Sequence, residues 1–137
     1  MVAPGPVGAS QVPDHVDVPL LLGPRDGWIA DAATALRRTV WTVAPSGDRV
    51  GVRLDGEALR RADAVAGQEL RSEGLVTGAV QVPPDGRPVV FLADHPTTGG
   101  YPVVGVVEPA ALPAFAQARP GSTVRFVPRA LPTVPAR

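Results

Sequence analysis

Gly74 to Pro102 reads GLVTGAVQVPPDGRPVVFLADHPTTGGYP, and its punctuation decides the fold. Two apolar runs, AVQV and PVVFLA, flank the turn signal Pro83-Pro84-Asp85-Gly86, the pattern of a β-hairpin. The stretch ends in the loop Asp94 to Pro102, where side chains able to do chemistry gather. Asp94 and His95 can move protons, Thr97 and Thr98 can donate or accept hydrogen bonds, and Gly99 and Gly100 let a backbone come close to a ligand.

On the N-terminal side, Thr39–Ala44 and Arg49–Leu54 form a second strand pair around Pro45-Ser46-Gly47-Asp48. Val50, Val52 and Leu54 alternate onto one face of it, with Arg49 and Arg53 on the other. Asp17–Leu22 is expected as a first strand. The spacing of Trp28, Ile29, Ala32, Ala33 and Leu36 predicts a helix over Asp26–Arg38, with Asp26 as N-cap. Glu57–Gln68 is a charged connector without periodicity.

On the C-terminal side, PVVGVV from Pro102 and STVRFV from Ser122 are strands, and Pro109–Ala118 is a short helix that starts at a proline. Many short strands, proline and glycine at the turns and two short helices indicate a mainly β barrel or sandwich. The expected organisation is a flexible lead over 1–16, one domain over 17–129 and a tail over 130–137. His15, placed in the lead, receives no role.

The 137 residues suit one domain with a sizeable core. Thirteen basic and thirteen acidic residues cancel without long blocks of either sign, so no nucleic-acid or membrane-surface partner is expected. Every cation is arginine, which excludes a Schiff-base or phosphate-clamping lysine from this chain. The absence of cysteine excludes thiolate nucleophiles and zinc-thiolate centres, and no metal site is expected. No apolar run approaches the roughly twenty residues of a membrane helix, and no signal-peptide pattern opens the chain. A cytoplasmic location is expected.

Taken together, Ser72-Glu73-Gly74, GAVQVPPDGRPVVFLAD, TTGGYP and ARPGSTVRF, in this order and spacing, resemble the biotin-dependent carboxyltransferase family, also called allophanate hydrolase subunit 2. That family includes the C-subunit of the ATP-dependent bacterial 5-oxoprolinase and the carboxyltransferase region of urea carboxylase. The likeness runs back through WTVAPSGDRVGVRL to LLGPRDGWI. It implies a cyclophilin-like β-barrel, a sister subunit of the allophanate hydrolase subunit 1 type and a larger hydrolase subunit. It also implies action on a small cyclic amide or urea-type substrate, with ATP used by the complex and biotin in some members. Members usually carry two such barrels, so this sequence reads as the C-terminal half of the family unit, expected to be inactive alone. Many have lysine after GGYP, where this chain has Val103. A non-catalytic partner or regulator of a sister subunit, of the kinase-inhibitor antagonist type, is the alternative reading.

The candidate site follows from both lines. Asp94, at the end of the strand where the loop begins, and His95 are the catalytic candidates, with a loop histidine bonded to backbone as the alternative for His95. The Thr97–Gly100 backbone is either an anion-binding concavity or a tight turn. Tyr101, held extended by the following proline, is a ligand contact or a core plug. Gln81 lines the barrel mouth or faces solvent; Glu73 is a second carboxylate near the loop; Arg49 and Arg53 could grip a carboxylate or stand as exposed charges.

Overall fold

The computed structural model describes residues 15–45 and 47–130. In chain order it contains β1 (His15–Leu22), α1 (Ala32–Arg38), β2 (Trp41–Val43), β3 (Gly51–Asp55), β4 (Glu73–Gly74), β5 (Ala79–Gln81), β6 (Val89–Phe91), β7 (Thr98–Gly99), β8 (Val103–Val107), α2 (Leu112–Ala116) and β9 (Thr123–Arg129). Seven strands close into a barrel in the order β1-β8-β5-β6-β3-β2-β9, and β4 and β7 form a separate two-stranded ribbon. The chain is mainly β with two short helices, as expected. Most of the lead and all of residues 131–137 lie outside the described residues; His15 and Val16, assigned to the lead, open β1.

Closure comes from β9 lying parallel to β1, from His15↔Thr123 to Leu21↔Arg129. The inward residues alternate as a half-buried strand requires. Val18, Leu20, Trp41, Leu54, Val80, Val90, Val104, Val124 and Phe126 all lie in the fully buried core, with Leu36 of α1 and Phe115 of α2 added to it. A second, smaller cluster of Leu75, Ala79, Phe91 and Val103 lies apart from that core. Because Ala79 and Val80 belong to different clusters, β5 is covered on both faces, which explains a run too apolar to alternate.

The central hairpin forms where the sequence puts it, with Val80↔Val90 and Gln81↔Val89 in register. Gly86 turns the chain at φ +78°, and its N–H donates to Pro83 O at 2.9 Å. The Asp85 carboxylate accepts from the Arg87 N–H at 3.0 Å.

Two expectations are corrected. The helix predicted over Asp26–Arg38 begins only at Ala32, after a short 3-10 turn at Asp26–Trp28. Ile29 is drawn into an antiparallel bridge with Arg61, and the flanking bonds Ala30 N–H to Arg60 O and Ala62 N–H to Trp28 O, both 2.8 Å, hold the chain extended there. The N-cap of α1 is Asp31 and not Asp26, and the Asp31 side chain makes no capping bond. In the second hairpin β3 starts at Gly51, so Arg49 belongs to the connecting loop and Val50 is 40% exposed. Asp48 causes this, its carboxylate accepting from the Val50 and Gly51 N–H groups at 2.8 and 3.1 Å. Arg53 is exposed on β3 as the alternation predicts. Among the described residues no helix is long and apolar enough to cross a membrane.

Gly105 in β8 sits where β1 crosses closest. A Cβ there would lie 2.7 Å from Leu20 Cγ and 2.7 Å from the Leu21 carbonyl oxygen. Backbone cannot yield as a side chain can, so Gly105→Ala should destabilise by about 1–3 kcal/mol. Urea unfolding checks this, with a lowered midpoint and an unchanged slope.

Candidate functional site

The loop from Asp94 to Pro102 does not close as a simple turn. It runs outward and returns through β7, which pairs with β4 at Glu73↔Gly99 and Gly74↔Thr98. Leu75 N–H donates to Thr97 O at 2.9 Å, extending the pairing by one bond. The ribbon lies over Leu75, Ala79, Phe91 and Val103 and carries Thr97 and Thr98 exposed.

Gly99 is needed for close approach rather than for a left-handed backbone. A Cβ on it would stand 2.6 Å from Gln81 Nε2 and 3.1 Å from Leu75 Cδ1. Neither Gly99 nor Gly100 has a positive φ. The Thr97–Gly100 backbone therefore lacks the left-handed residue of an alternating right- and left-handed nest and runs through β7 instead. Gln81 is likewise neither solvated nor at the barrel mouth: it is 7% exposed, beneath Gly99.

A salt bridge links the ribbon to the segment after β1. Gly23 N–H donates to Val104 O and Arg25 N–H to Val103 O, both 2.9 Å, fixing that segment along β8. Arg25 then grips Glu73 with two bonds, Nε to Oε1 at 3.2 Å and Nη2 to Oε2 at 2.5 Å. Its hydrogen bonding holds the Glu73 carboxyl below the ordinary value of 4.5, and Glu73 in turn raises Arg25. Glu73 is therefore committed to holding the ribbon. Sequence reasoning missed Arg25, although it stands inside the LLGPRDGWI word.

Asp94 and His95 do not pair with each other. Asp94 meets Arg49 at 3.0 Å in an exposed ion pair, and its N–H donates to Arg49 O at 3.1 Å. His95 Nδ1–H donates to Pro96 O at 2.5 Å, which leaves Nε2 as the basic nitrogen. Its ring lies 6.4 Å from that of Phe91.

Two clefts lie nearby, and neither Asp94 nor His95 lines either of them. One, of about 610 Å³, opens at the end of the barrel over Val43, Val52 and Leu92, with Asp48, Arg49 and Thr77 also lining it. The other, of about 640 Å³, is lined by Arg61, Gln68, Leu70, Pro84, Gly100 and Tyr101, with Gly67 and Glu69 at its edge. Tyr101 is 44% exposed and so is no core plug. The structure thus brings Glu73, Thr98 and Gly99 together in the ribbon with Gln81 of β5 beneath Gly99, puts Gly100 and Tyr101 in the adjoining cleft, and sends Arg49 with Asp94 to the barrel end. Arg53 joins neither group, and Arg61 was hidden in the connector.

Residues 5–128 match the family model described as carboxyltransferase domain, subdomain A and B. The 5-oxoprolinase C-subunit of Haemophilus influenzae is 43% identical over 89 residues, 65% of this chain and 28% of that relative. Its Escherichia coli namesake is 39% identical over 93 residues, 68% of this chain and 29% of the relative. Each alignment thus takes in less than a third of the relative's length. Among solved structures, the urea carboxylase of Kluyveromyces lactis superposes with a TM-score of 0.76 at 26% identity, over 85% of this chain and 11% of that one.

The Arg25–Glu73 bridge gives a pH test. A carboxyl whose folded-state pKa is lowered adds stability above its unfolded value and loses it as pH falls through the lowered value. The advantage of the unmodified chain over Glu73→Gln should therefore be full above 4.5 and shrink below it. Urea midpoints of the two proteins at about pH 7 and about pH 3 check this; an equal gap at both would contradict it.

Proposed function

Because this chain belongs to the family of the carboxyltransferase domain, subdomain A and B, we propose that it is a subunit of an ATP-dependent complex of the 5-oxoprolinase type. The complex opens a small cyclic or urea-type amide. The observation that carries this reading is the 43% and 39% identity to the two 5-oxoprolinase C-subunits. The TTGGYP segment supports it from the structural side, since Gly100 and the exposed Tyr101 line a cleft and the preceding Thr97 and Thr98 are exposed.

Opening an amide needs a proton-transfer group and donors for the oxyanion that develops. We assign proton transfer to His95 through Nε2, with Asp94 positioning the start of the loop through Arg49. Thr97, Thr98 and Tyr101 are assigned to substrate contact, and Glu73 to holding the ribbon. The described residues do not fit a nucleotide. Each of these two clefts is lined by a single arginine, and the chain has no lysine. ATP is accordingly assigned to a larger hydrolase subunit. No residue of this chain is assigned to biotin. A sister subunit of the allophanate hydrolase subunit 1 type completes the complex, in the cytoplasm.

The test is ATP turnover with 5-oxoproline by the chain alone, by the chain with both partner subunits, and by that mixture carrying His95→Gln. Turnover is expected only in the mixture, with kcat lowered by about 10²-fold in the variant, the usual size of a general acid–base contribution. A stable complex that turns over no ATP would contradict the proposal and favour a regulatory partner.

A further inference from the structure

The Tyr101 cleft contains a prepared cation. Arg61 is half-buried, and its guanidinium carbon lies 5.4 Å from the centroid of the Trp28 ring. Its Nη1 donates to Gln68 O at 2.7 Å. Its backbone is fixed as well, through the bridge to Ile29 and the flanking bonds of Arg60 and Ala62. An arginine held at one face and one nitrogen has lost the side-chain freedom it would otherwise give up on binding.

Of the twelve described arginines four pair with a carboxylate and eight, Arg61 among them, do not; the stacking on Trp28 and the bond to Gln68 O set Arg61 apart. Arg25, Arg49, Arg125 and Arg129 each pair with a carboxylate. Arg61 lines a cleft of about 640 Å³, and among the described residues no carboxylate lies within ion-pair distance of it. Glu69 lines the same cleft but is exposed and makes no such pair. A guanidinium has five N–H donors in a planar fork that matches a carboxylate with two parallel bonds. One donor is spent on Gln68.

From this geometry we infer that Arg61 is the carboxylate-binding subsite of the Tyr101 cleft. The ligand class is a small molecule carrying a carboxylate next to a planar amide or ureido group. The carboxylate is gripped by Arg61, and the planar group lies toward Tyr101 and Gly100, which line the same cleft. The inference rests on the reading of the TTGGYP ribbon as the substrate-facing element, and it adds the residue that selects for a charged substrate. A neutral urea lacks the group Arg61 recognises; 5-oxoproline has it.

Calorimetric titration of the purified chain with 5-oxoproline and with 2-pyrrolidinone, the same ring without its carboxylate, tests this directly. Binding of 5-oxoproline is expected, weakened about tenfold or more in Arg61→Gln, with no measurable binding of 2-pyrrolidinone. Arg61→Lys, which keeps the charge but not the fork, should fall between. A melting curve for each variant establishes that it is folded. Equal affinity in the unmodified chain and a folded Arg61→Gln, or no response to 5-oxoproline, overturns the inference. The KM for 5-oxoproline in the assembled complex separates the two readings. Turnover with KM unchanged in Arg61→Gln removes the subsite and keeps the function, whereas Arg61-dependent binding without turnover does the reverse.

Discussion

The parallel pairing of β1 with β9 is the constraint on which the rest of this structure depends. Antiparallel neighbours can be joined by a tight turn, but a parallel pair needs a long crossover. Here nearly the whole described chain is that crossover, from Leu22 to Thr123. The pairing runs from His15↔Thr123 to Leu21↔Arg129, turning an open sheet with two edges into a barrel with none. Val18, Leu20, Val124 and Phe126 are completely buried because that seam is shut.

A closed barrel leaves only its outside and its ends for chemistry. The chain uses the outside of β5, β6 and β8, which it covers with the β4–β7 ribbon instead of leaving it to water. Two devices keep the ribbon in place. Gly99 allows approach over Gln81, and Arg25, fixed along β8 by its own N–H, grips Glu73. The bridge is exposed on both sides, by 38% and 32% of the side chains, so water screens it and its value is more in position than in stability. The consequence is a firm barrel carrying a less firmly held strip that presents Tyr101 beside the Arg61 cleft.

Much of the fold was legible because it is local. The Pro83–Gly86 turn, the apolar runs around it and the inward alternation of Val52 and Leu54 all express short-range rules, and the structure follows them. What was not legible is set by partners distant in sequence. Asp26–Arg38 has helical spacing, yet Ile29 is pulled straight by Arg61, thirty-two residues on. Glu73 looked like a spare carboxylate because nothing near it announces Arg25. Gln81 looked like a surface or rim residue because sequence does not reveal that a second layer covers β5. In the candidate site two glycines in a row fit a nest, a turn and a close crossing equally well, and only the structure shows Gly99 crossing close over Gln81.

Native-state hydrogen exchange tests the dependence on closure most directly, because it ranks segments by the free energy needed to open them. The amides of β1, β8 and β9 should exchange only through global unfolding. Those of the ribbon, including Leu75 and Gly99, should exchange through a cheaper local opening that leaves the barrel intact. Exchange of the β1 and β9 amides as fast as that of the ribbon would contradict the account, since the seam would then be a fraying edge and not the closure on which the barrel is built.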